Sequence, residues 1–119
     1  YPFGGTCDTG YSVLASQNRP AGPILDEKTM WAQSEVSIGC LMAYEQTGEP
    51  WALEWFDRSW AFLQRTMVTE CGVWRQAVDR EGGDKQREGI SIYRRGNFHQ
   101  PRCLSFLIKT LNRMIGRLA

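Results

Sequence analysis

The stretch from Lys28 to Leu63, KTMWAQSEVSIGCLMAYEQTGEPWALEWFDRSWAFL, decides the fold. Asp26 stands ahead of it as an N-cap, and Trp31, Glu35, Ile38, Leu41 and Met42 recur at helical spacing on one side. A first helix is therefore predicted from about Lys28 to Thr47. The Thr47 to Pro50 segment, TGEP, combines a glycine stop with a proline that the first turn of a helix tolerates. A second helix should start near Glu49 and run to about Val68, closing a tight helical hairpin. It carries Trp51, Leu53, Trp55, Phe56, Trp60, Phe62, Leu63 and Met67, a stripe wide enough to pack on two neighbours.

Outward from this hairpin the pattern changes. Gly4 to Pro23 is rich in Gly, Pro, Asn and Ser around one short apolar run, Tyr11 to Leu14, and reads as a connector. Downstream, Cys71 to Val78 (CGVWRQAV) reads as a strand, with a charged turn at Asp79 to Asp84 and a short return strand at Ile90 to Tyr93. A last helix opens near His99 to Pro101. Its periodicity places Leu104, Leu107, Ile108, Leu111, Ile115 and Leu118 inward, and Arg102, Lys109, Arg113 and Arg117 outward. Helices this apolar on more than one side suit a larger array of antiparallel hairpins, of which this chain would be a terminal piece. The opening YPFGG, with no initiator methionine, points the same way.

The chain has 119 residues, 42% hydrophobic and 23% charged, with a formal net charge of +1. That is one small soluble domain at most. Basic residues interleave with thirteen carboxylates, so no basic face marks a nucleic-acid binder. No apolar run is long enough to cross a bilayer. The four cysteines, Cys7, Cys40, Cys71 and Cys103, form no metal-ligand or redox spacing. Two of them fall in predicted helices, and reduced thiols in a cytoplasmic protein are expected.

Trp31 and Glu35 share a helix face one turn apart. An indole beside a carboxylate reads either as a sugar-binding pair, the ring covering the apolar face of a pyranose, or as a core tryptophan with a paired acid. His99 is the only histidine. At a helix start, unpaired N–H groups and the dipole disfavour the imidazolium, so the ring is either a general base or a structural imidazole. Arg95 is either an oxyanion holder or a solvated hairpin residue. Trp51, Trp55, Trp60 and Trp74 read as core rather than as a ligand platform.

Three ordered segments, W-x-Q-x-E at Trp31 to Glu35, the TGEP turn, and F-H-x-P-R-C-L from Phe98, resemble the C-terminal part of the N-acylglucosamine 2-epimerase family, closest to its renin-binding protein-like branch. The resemblance covers nearly the whole chain. It implies a mainly α fold, with residues 1–119 forming the C-terminal portion of a single (α/α)6-barrel domain. It also implies an enzyme acting at C2 of a ring-opened sugar, without metal or other cofactor, in a homodimeric cytoplasmic protein with no nucleic-acid or membrane partner. On that pattern His99 matches a catalytic histidine, Glu35 an acid that aids ring opening or orients a histidine, Trp31 an aromatic wall, and Arg95 a basic substrate contact. N-acyl-D-glucosamine and N-acyl-D-mannosamine are the implied substrate pair. Aldose–ketose isomerisation of mannose or a related sugar, and a non-catalytic carbohydrate-binding role, are the alternatives. The family's second histidine, its nearby acid and an arginine would lie upstream of Tyr1, so the 119-residue chain by itself is expected to be inactive.

Overall fold

The computed structural model describes residues 28–79, 81–83 and 98–118. In chain order they form β1 (Lys28–Thr29), α1 (Met30–Thr47), α2 (Pro50–Thr66), β2 (Ala77–Val78) and α3 (His99–Leu118). None of these helices is long and apolar enough to cross a membrane. The connector before Lys28, the return strand at Ile90 to Tyr93 and Arg95 lie outside the described residues.

Helix α1 is the centre, packed against α2 on one side and α3 on the other. The buried residues Met30, Gln33, Ser34, Ser37, Ile38 and Leu41 recur at i, i+3 and i+4 spacing along one arc of α1, which mixes apolar and small polar side chains. Trp31, read from the sequence as either a sugar-facing or a core ring, lies outside that arc and is 47% exposed. Small residues let α1 and α2 approach closely. The Ser37 hydroxyl lies 3.1 Å from that of Ser59 and 2.9 Å from the Gln33 carbonyl, keeping buried polar groups partnered at the seam.

The hairpin turn follows the sequence reading. Gly48 caps α1 at φ +70°, its N–H donating to the Tyr44 carbonyl at 2.8 Å, and Pro50 opens α2. The start of α1 does not. Thr29, not Asp26, occupies the N-cap, without a side-chain cap bond, because Lys28 and Thr29 pair as a strand antiparallel to Val78 and Ala77. The Met30 N–H continues that ladder to the Gln76 carbonyl at 2.8 Å. The predicted strand over Cys71 to Val78 shrinks accordingly to β2, preceded by a turn closed by the Val68–Trp74 bridge. The core gathers Ile38, Leu41, Phe56, Phe62, Leu63, Met67, Trp74 and Val78, and the buried Lys28 ammonium lies 4.6 Å from the Phe62 ring centroid.

Helix α3 is rotated from its expected orientation. Cys103, Leu107 and Thr110 are buried, with Leu104 and Met114 packed beside them. Ile108, Leu111, Ile115 and Leu118 stay exposed, Leu118 at 88%. The apolar arc of α3 is wider than the strip α1 covers, and periodicity alone does not say which half of an arc meets a neighbour. Trp51 and Trp55, expected in the core, likewise project from α2, whereas Trp60 and Trp74 pack edge to face at 6.3 Å inside. Far from the α3 N-terminus, Arg113 forks onto both oxygens of Glu45 at 2.8 Å and Arg117 adds a contact at 3.3 Å, tying α3 to α1. Cys40, Cys71 and Cys103 are free thiols.

Candidate active site

The first turns of α1 and α3 meet at one end of the bundle. Helix α1 presents Trp31 and Glu35 one turn apart, as the spacing predicts. Helix α3 delivers His99 as its first residue, its first backbone bond running from the Arg102 N–H to the Phe98 carbonyl at 3.1 Å. Pro101 in that first turn leaves no helical hydrogen bond unmade. Two contacts fix the helix start. Gln100 donates from Nε2 to the Gly72 carbonyl at 3.1 Å, and the Cys103 thiol reaches the Ser34 carbonyl at 3.8 Å. Burial pushes the Cys103 thiol up to about 11, so it stays protonated and able to donate.

Trp31, Glu35 and His99, each singled out in the sequence, are thereby brought together. His99 Nδ1 lies 3.6 Å from Glu35 Oε1, close enough for an ionic interaction and too long for a hydrogen bond. That nitrogen is buried without a hydrogen-bond partner, leaving the ring's exposure to its other atoms. The Trp31 ring stands 6.1 Å from the imidazole at 43°, and Phe98 meets it edge-on at 5.0 Å. An imidazole backed by a carboxylate and flanked by two solvent-facing aromatic rings can accept a proton from a ligand whose apolar face covers the indole.

Two residues of this cluster escape a sequence reading. Phe98 figures there only as part of a motif, and 62% exposure makes it a contact surface beside His99. Arg102, expected to face solvent, instead hydrogen-bonds through Nη1 to Glu35 Oε1 and lies 4.9 Å over the Phe106 ring. The signal for it was available, since positions 99 and 102 share a helix face.

Comparison with known proteins places the fold and the family. A cellobiose 2-epimerase from Spirochaeta thermophila DSM 6192 superposes with a TM-score of 0.70 over 88% of the chain and 28% of that structure, at 22% identity. The fold is accordingly part of an (α/α)6 barrel. The N-acylglucosamine 2-epimerase (GlcNAc 2-epimerase) family model matches residues 3–92. N-acylglucosamine 2-epimerases from Bos taurus and Homo sapiens are 33% and 32% identical over 96 residues, 77% of the chain. The chain belongs to the N-acylglucosamine 2-epimerase family. It spans 22% of the length of those two relatives.

Proposed function

We propose that the protein containing this chain is a sugar 2-epimerase that interconverts N-acyl-D-glucosamine and N-acyl-D-mannosamine. The observation that carries the reading is the Glu35 carboxylate 3.6 Å behind His99 Nδ1, with the Trp31 ring alongside. In the ring-opened sugar the C2 proton is acidified by the neighbouring aldehyde. His99 takes that proton, the C2–H electron pair forms a C1=C2 double bond as the aldehyde π pair moves onto O1 to give an enolate, and Glu35 stabilises the imidazolium that results. A proton returned to C2 from the opposite face gives the epimer. That second donor is not among the residues of this cluster, so it comes from another part of the intact protein. Trp31 supports the sugar, and Arg95 is assigned to a substrate oxygen. The reading carries with it a cytoplasmic homodimer, with residues 1–119 as the C-terminal portion of a single barrel domain and no metal or redox cofactor in the reaction.

The test is proton NMR of the intact protein with N-acetylglucosamine, N-acetylmannosamine, mannose and cellobiose in D2O. Loss of the C2 proton signal together with formation of the C2 epimer, both abolished by His99→Asn, supports the proposal. A ketose product makes the protein an aldose–ketose isomerase. Binding without exchange makes it a carbohydrate-binding protein.

A further inference from the structure

The cluster contains a group that this chemistry does not yet use. Arg102 is three residues beyond His99, so both side chains leave the same face of α3 and reach the same carboxylate on α1. Its Nη1 hydrogen-bonds to Glu35 Oε1, the same oxygen that faces His99 Nδ1 at 3.6 Å. The guanidinium is held in place by the Phe106 ring, 4.9 Å away and one turn along the helix. Glu35 thus has one oxygen addressed by two cationic or potentially cationic groups, and only the arginine is at hydrogen-bonding distance. The direction of the carboxylate behind the histidine is therefore set by the arginine. A carboxylate free of it would be drawn to Nδ1, which has no other hydrogen-bond partner.

We propose that Arg102 is a positioning residue: it anchors Glu35 at the distance from which the carboxylate orients His99 without capturing it. This rests on the proton-transfer role given to His99 above, and its test has a readout that does not depend on turnover. In the intact protein with 15N-labelled histidine, the His99 ring resonances are assigned by their loss in His99→Asn. Arg102→Gln is expected to move the His99 Nδ1 resonance. It should also lower kcat by about 5- to 30-fold, no more than the loss of the carboxylate charge it positions, with a much smaller change in KM. Arg102→Lys, which keeps the charge but not the fork, should recover part of the loss. In a Glu35→Ala background, Arg102→Gln should cost nothing further, because its only route to the histidine is gone.

An unchanged His99 resonance in Arg102→Gln overturns the proposal. So does an equal kcat loss with and without Glu35, which would mean that Arg102 acts on the substrate or on stability. Should Arg102→Gln fail to fold, the Lys variant answers the same question through the same resonance. A protein that turns over no sugar but still shows the shifted resonance retains the positioning role and loses the epimerase assignment.

Discussion

Glu35→Gln keeps the shape of the side chain and removes its charge, so its cost measures what the carboxylate does for His99. At 3.6 Å two unit charges attract by about 5 kcal/mol at an effective dielectric of about 20, and by about 1 kcal/mol in water. The two side chains are 35% and 38% exposed, which weights the balance toward the lower figure. Arg102 on the same oxygen lowers it again. About 1–2 kcal/mol of imidazolium stabilisation remains, so the variant should lose about 5- to 30-fold in kcat. His99→Asn, which removes the base itself, should lose at least about 100-fold. The assay is the initial rate of C2 deuterium incorporation into N-acetylmannosamine by the intact protein. Wild-type turnover in Glu35→Gln would refute the reasoning. A loss as complete as that of His99→Asn would refute it too, because Glu35 would then be acting on the sugar directly.

Three further outcomes test the framework that holds the site. The Arg113 fork, followed by the charges of Arg113 and Arg117, holds the Glu45 carboxyl below the usual carboxylate range. A depressed folded-state value means that this contribution to stability is present above the unfolded-state value and is lost as pH falls through the folded one. Glu45→Gln should therefore lower Tm at neutral pH and flatten its fall in acid, as read by thermal melts across that range. Gly48→Ala, at φ +70°, should cost about 1 kcal/mol in denaturant unfolding, because a Cβ disfavours the left-handed cap. Alkylation followed by mass spectrometry should label Cys71 before Cys40 and leave Cys103 last. Cys71 is exposed and its thiol is lowered by the Thr69 hydroxyl, whereas burial raises both others.

The helices and their order were legible in local sequence. TGEP marks a stop and a start by backbone chemistry alone, and the first turn of α3 falls where the His99 to Pro101 segment predicts. The pairing of Trp31 with Glu35 on one face followed from helical spacing, and the family from three short motifs. Helix orientation was not legible. Periodicity defines an apolar arc but not the neighbour that covers it, so of the residues assigned inward Leu107 is buried, together with Cys103, while Ile108 and Ile115 stay exposed. On α1 the buried arc is turned toward Gln33, Ser34 and Ser37 and away from Trp31, so only part of the side read from the sequence, Ile38 and Leu41, is buried.

The charge network belongs to the tertiary level for the same reason. Glu35 and Arg102 lie far apart in sequence and meet only because α1 and α3 cross at their first turns. Local sequence determined the three helices among the described residues, the glycine-capped hairpin and a histidine at a helix start. Only tertiary packing decided which carboxylate stands behind that histidine and which arginine holds it there, because those contacts join residues that no local periodicity relates.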